Sequence, residues 1–215
     1  MSPRLPPTCL APLVVAALLL APAAGPDALL APLPEVLPSE PLVKDGVFAV
    51  LSLRAWNAWW LVQEPATGGA FLADTGQLLG PLTPRMLGYG LAALGEVAVF
   101  LAVLRRPTRD GLLLGLAASV LVAFCLLTTM HERYSYGAVI FLAAAMSGRA
   151  RAAAWVVLAV AATANVIAAI PPSGGPGSLI PLGGPVGIVG SVAILGVGVA
   201  TGFLVLRERP ELGSS

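Results

Sequence analysis

The stretch Thr128-Thr-Met-His-Glu-Arg-Tyr-Ser-Tyr-Gly137 sets the chain's only histidine, a carboxylate, a guanidinium and two phenols together between two strongly apolar runs. A charge at the centre of a membrane span costs about 2.5–3.5 kcal/mol on insertion scales, so ionisable groups at membrane depth are paired, line a cavity or serve function. Arg133 offers a planar fork of donors that suits a phosphate or a carboxylate. His131 can donate to the same anion or carry a proton near neutral pH. In a helical turn His131 and Tyr134 share one face, as do Glu132 and Tyr136. Glu132, Tyr134 and Tyr136 are thereby the residues that would orient the two donors. The same residues also make a purely structural cap, with arginine snorkelling, tyrosine in an aromatic belt and a His131–Glu132 pair ending a helix. On spacing alone the two readings weigh equally.

A second cluster is Trp56-Asn-Ala-Trp-Trp60. Asn57, with Trp59 and Trp60 among its flanking indoles, could form the wall of a cavity for a sugar or a lipid head group. An aromatic belt at the membrane surface is the simpler reading. Glu96 lies inside an apolar run, where it is either a proton relay or cation site, or a carboxylate held by a polar group of a neighbouring helix. Asn165 reads as an interhelical hydrogen-bonder. Outside the apolar runs no two acidic residues are adjacent or one apart, and there is no phosphate-cradling glycine loop or serine elbow. With one histidine, and with Cys9 and Cys125 far apart, no metal site and no cofactor is expected.

The elements that must position these residues are set by composition. The chain has 215 residues, 57% of them hydrophobic and 11% charged, with a mean hydropathy of +0.89. Several apolar runs reach the roughly 20 residues that cross a bilayer. The expected class is all-α, a polytopic transmembrane helical bundle of about five to seven membrane segments joined by extracytoplasmic loops. A net charge of +1 with dispersed Lys and Arg argues against nucleic acid as a partner. Residues 1–24 read as a secretory signal or, preferably, a first membrane helix broken by Pro12. Residues 25–85 read as an extracytoplasmic loop, too proline-rich for a helix over Gly25–Asp45. Within it, Val47–Val62 is expected as a short Trp-rich helix at the interface, ended by Pro65 and the Gly68-Gly69 pair. The membrane bundle is expected over 86–206, with spans at Met86–Leu104, Leu112–Thr129, Ala152–Ile170 and Val186–Leu206. Tyr134–Gly148 would be a shorter descending helix, and 207–215 a cytoplasmic tail.

Orientation follows Lys/Arg asymmetry in short loops. An alternating path through these spans puts Arg4, Arg105, Arg106, Arg109, Arg149, Arg151, Arg207 and Arg209 in the cytoplasm. It leaves Lys44, Arg54, Arg85 and Arg133 outside, so the histidine cluster and the Trp-rich segment should share the extracytoplasmic face.

The string Thr128-Thr-Met-His-Glu-Arg-Tyr134, closing one span and opening the next, resembles a motif of bacterial membrane glycosyltransferases of the GT-C class. The likeness is to the mannosyltransferase-like members that use polyprenyl-phosphate sugars. Leu51-Ser-Leu-Arg-Ala-Trp-Asn-Ala-Trp-Trp-Leu61 is similar to the Asn- and Trp-rich segment that precedes the motif there, so the likeness runs from Val47 to about Gly148. It implies an enzyme of the bacterial cytoplasmic membrane whose active face is extracytoplasmic, with a polyprenyl-phosphate-linked sugar and membrane lipids as partners. His131 and Arg133 would bind the donor phosphate, and Asn57, Trp59 and Trp60 would border the cavity. Such proteins carry their catalytic acid in a paired-acid motif of the first extracytoplasmic loop, which has no counterpart in Gly25–Asp45. No residue here inherits the base role, so the resemblance implies a C-terminal portion that works with an N-terminal companion segment or subunit. The alternatives are a non-catalytic membrane module that assembles with or regulates such an enzyme and, less favoured, a small transporter using Glu96 and Asn165.

Overall fold

Long unbroken apolar runs dictate helices, because only a helix satisfies its own backbone where no water reaches. In the computed structural model, which describes residues 43–44, 47–105, 107–170 and 179–207, four such helices form the body of the protein. They are α2 (Pro84–Arg105), α3 (Arg109–Leu126), α5 (Gly148–Ala169) and α6 (Gly184–Arg207), each long and apolar enough to cross a membrane. Two shorter helices, α1 (Trp60–Thr67) and α4 (Tyr136–Ala144), complete an all-α membrane bundle. All described residues belong to a single compact unit, 34–215.

Helix ends follow local chemistry. Thr108 caps α3 by accepting from Gly111 N at 2.9 Å. Pro84 opens α2, where a missing N–H costs nothing. Gly68, at φ +64°, stops α1 in the left-handed conformation that glycine adopts without strain.

The central helix is α3: 44% of its apolar window is buried, against 17% for α2, which lies on its flank. Leu114, Ala117, Ala118, Leu121 and Phe124 of α3 pack with Leu142, Leu158 and Ile194 in one core. Close approach of α2 and α3 relies on Gly95 against Val122 and Gly115 against Val103. Ser119 of α3 donates to the Glu96 carboxylate of α2, so that acid is held by a neighbouring helix. Arg151 joins Asp110 and also donates to Ala145 O at 3.1 Å. That contact gathers the start of α3, the end of α4 and the start of α5 at one end of the bundle. The histidine cluster lies at the other.

Two expectations change. Tyr134–Gly148 is only partly helical: a 3-10 turn (Glu132–Ser135) precedes α4, which is too short to span. Val47–Val62 is not an interfacial helix. It contains β2 (Val47–Phe48), antiparallel to β1 (Val43–Lys44), then β3 (Ser52–Leu53) and a turn, and becomes helical only at Trp60. Pro65 falls inside α1 rather than ending it. Leu10–Ala24, the Gly25–Asp45 loop apart from Val43–Lys44, and most of the 207–215 tail lie outside the described residues.

Candidate functional site

The last carbonyls of a helix have no partners within it, and α3 ends inside the protein. Its final turn is answered from the Trp-rich segment. Asn57 Nδ2 donates to Phe124 O (3.2 Å) and Leu127 O (3.5 Å), Ala58 N to Cys125 O (3.2 Å), and Trp59 Nε1 to Leu126 O (2.8 Å). Asn57 Oδ1 meanwhile accepts from Trp60 N at 3.1 Å, starting α1. Trp56 N donates to Asn165 Oδ1 (2.9 Å), Asn165 Nδ2 returns a bond to Arg54 O (2.8 Å), and Trp56 Nε1 reaches Leu182 O (2.8 Å). This segment is a wedge between the ends of α3, α5 and α6. Glu64, one turn further on, accepts from Gly184 N at the start of α6, an acid placed where the helix dipole favours it.

The expected cavity wall is therefore filled in. Asn57 and Trp60 are fully buried and Trp59 nearly so, and the Asn57 amide nitrogen and the Trp59 indole nitrogen are engaged by the end of α3. Their likeness to a surface belt came from composition, but unpaired helix carbonyls are the stronger demand. Asp accepts as well as Asn at a helix start, so a residue serving α1 alone would tolerate Asn57→Asp. Because a carboxylate would instead face Phe124 O and Leu127 O, Asn57→Asp is expected to lower stability by about 3 kcal/mol, more than Asn57→Ala. Unfolding of both variants in detergent checks the order.

A second tie holds the start of the cluster. Asp74 is fully buried, and both its oxygens accept from Arg85, at 2.8 Å from Nε and 2.8 Å from Nη2. Thr128 Oγ1 adds a bond to Asp74 Oδ2 at 2.7 Å. From there the chain runs through Thr129, whose N donates to Val50 O and Leu51 O. It enters β4 (Met130–His131), which pairs in parallel with β3, Ser52 opposite Met130 and Leu53 opposite His131. Arg54 bridges to His131 as well. Among the described residues the non-glycine positions with positive φ are Arg54 (+62°) and Thr129 (+60°). For a β-branched residue that conformation is a true outlier, and strain of this kind gathers at functional sites. Both strained residues flank His131.

Within the cluster, Tyr134 is the hub. Its ring meets His131 edge-on at 5.4 Å between centroids, and the Arg133 guanidinium carbon lies 5.6 Å from the same ring. Phe48 closes on the other side of His131, edge-on at 5.9 Å. Glu132 Oε2 is 3.8 Å from His131 Nδ1, too far for a hydrogen bond. Arg133 and Tyr134 are exposed, whereas His131 and Glu132 are half-buried. The expected face shared by His131 and Tyr134 is present. Tyr136 departs from its expected role: its hydroxyl lies 3.2 Å from Thr163 Oγ1 and so pins the turn to α5. An exposed guanidinium and an adjacent imidazole on one phenol ring can bind an anion arriving from the membrane surface.

Sequence reasoning gave no contact role to Arg54, Asp74, Arg85 or Thr128, although Thr128 opens the string that carries the resemblance. For Arg54 a signal existed, a lone cation in an otherwise apolar run. For the other three there was none, since 54 residues separate Asp74 from Thr128. Among the described residues no group of His, Cys, Asp and Glu could hold a metal ion. No protein-family model matches the chain, and no curated protein or solved structure matches it.

Proposed function

We propose that this chain binds the phosphate of a membrane-borne, lipid-linked substrate between Arg133 and His131. We read it as the C-terminal portion of a glycosyltransferase that moves a sugar from a polyprenyl-phosphate donor to an acceptor on the extracytoplasmic face of a bacterial membrane. The observation that carries this reading is the pairing of an accessible guanidinium with an imidazole around Tyr134, on a backbone strained at Thr129 and Arg54. In the transfer, a carboxylate supplied by a companion segment takes the acceptor's hydroxyl proton. The acceptor oxygen attacks the anomeric carbon and the lipid phosphate leaves. Arg133 and His131 meet the charge that develops on that phosphate, an electrostatic role that often dominates catalysis.

A second reading, a non-catalytic module that delivers or holds the lipid phosphate for another protein, draws support from the acids near the cluster. Asp74 is committed to Arg85 and Thr128, and Glu132 sits against His131.

Purified chain in lipid nanodiscs should bind polyprenyl phosphate, and Arg133→Ala should weaken that binding about ten- to a hundredfold, the worth of a charged hydrogen bond lost. In the complete enzyme the same substitution should abolish transfer without loss of membrane insertion. Unchanged binding in Arg133→Ala removes the proposed site. Binding without transfer, even when a companion segment is supplied, favours the module.

A further inference from the structure

One flank of α5 carries a feature that the phosphate site does not use. Ala159, Val160, Thr163, Ala164 and Ile167, with Ile180, line a shallow, open apolar groove. Their spacing is that of one helical stripe, and at 1.5 Å per residue it runs roughly 12 Å along the helix. Val160 and Thr163 are exposed, so on a helix that crosses the membrane the groove opens sideways to hydrocarbon.

Two polar markers fix the groove's direction. Tyr136 meets Thr163 on the stripe itself. Beyond Ile167, at the end of the helix, Arg54 Nη1 donates to Ala169 O at 3.1 Å. That carbonyl takes one of the guanidinium's five donors. The apolar slot thus runs toward the end of α5, where Arg54 sits on the carbonyl of Ala169.

We propose that an anionic diacyl phospholipid of the surrounding bilayer lies along α5, with one acyl chain in this groove and its phosphate on Arg54. Hydrocarbon is the only solvent at that depth, so a slot open to it fills with a chain. Bilayer phospholipids surround the helix in great excess over any dilute lipid-linked substrate, and occupancy follows concentration over Kd. The selective element is the charge at the mouth, which favours an anionic head group. The bound lipid lies against Thr163, where Tyr136 at the start of α4 meets α5, next to the site proposed above.

Native mass spectrometry of the full chain, released from micelles with defined lipids, tests this. Phosphatidylglycerol should be retained at least tenfold better than phosphatidylcholine with the same chains. Thr163→Phe, which fills the groove from an exposed position, should reduce retention of both lipids about tenfold. Thr163→Val, which keeps the groove and removes only the hydroxyl, should retain them. Arg54→Gln should erase the head-group preference and Arg54→Lys should keep it, each at an unfolding temperature showing that the variant is folded. Equal retention of the two lipids by the unaltered chain overturns the proposal. So does full retention by Thr163→Phe. Retention of polyprenyl phosphate with exclusion of phosphatidylglycerol overturns it as well, by giving the groove to the lipid-linked substrate.

Discussion

Asp74→Ala is expected to destabilise the protein by about 3 kcal/mol and to free the segment from Thr128 to His131. Removing one partner of a buried ion pair typically costs about 3–5 kcal/mol, because the other charge is left without compensation. The lower end applies here, since the Arg85 side chain keeps 27% of its exposure and can turn toward water, whereas Asp74 has none. The loss goes beyond the pair. Thr128 loses its acceptor, and Arg85 also holds Phe48 O at 3.1 Å, one residue from Ala49, whose carbonyl takes Asp74 N. Asp74→Asn keeps the shape and one acceptor, so it should fall between alanine and the unaltered chain. Thermal unfolding in detergent gives the order. Amide exchange at Thr129 and His131 should rise in both variants before the bundle itself opens. A loss below about 1 kcal/mol would mean that the pair is solvated and holds nothing.

The coupling from Asp74 to the cluster explains how the proposed phosphate site could sit on so little regular structure. His131 is carried by a two-residue strand and Arg133 by a 3-10 turn, neither of which is stable alone. Their position comes from outside: Arg85 through Asp74 and Thr128 on one side, β3 and Arg54 on another, and Thr163 through Tyr136 beneath. Anchored backbone with exposed donor side chains is what a binding site needs, since only a fixed group avoids an ordering cost when the ligand arrives.

The helices were legible because apolar runs leave the backbone no other choice. Met86–Leu104 was expected and Pro84–Arg105 is found; Val186–Leu206 was expected and Gly184–Arg207 is found. The expected end of α3 at Thr129 overshoots Leu126, and the reason is tertiary. Asn57, Ala58 and Trp59 supply the donors that a further helical turn would have supplied, so the chain can turn off early into β4. Hydropathy cannot register such donors. The histidine cluster was legible as chemistry, through rare residue types in an apolar chain, but not as geometry. Its ties to Asp74, Arg54 and Thr163 are long-range bonds that leave no periodic trace. Trp56 and Trp59 misled because a tryptophan satisfied by a buried carbonyl and one satisfied by the membrane surface look the same in a sequence.

The wedge itself is held by a size match between Trp56 and α6, and here a large effect is expected from a single methyl group. Trp56 is almost fully buried, pinned by its indole nitrogen on Leu182 O and by its backbone on Asn165. A Cβ at Gly190 would lie 2.6 Å from Cζ3 of that indole and still closer to Cε3. Because the ring cannot withdraw without giving up both bonds, Gly190→Ala should cost about 3 kcal/mol, the upper part of the usual range for overpacking. Trp56→Ala should cost about 3–5 kcal/mol through the cavity that it leaves. The two positions must then be strongly coupled. With phenylalanine at 56 the ring is shorter on the Gly190 side, and alanine at 190 should add less than about 1 kcal/mol, a departure from additivity expected only of residues in contact. Strictly additive costs in denaturant unfolding would show that the indole is not what confines Gly190. The match also bears on binding, since Trp56 stands two residues after Arg54. Gly190→Ala should therefore loosen the β3–β4 pairing and weaken anion binding at His131, although Gly190 itself lies in the helical core and touches no part of the cluster.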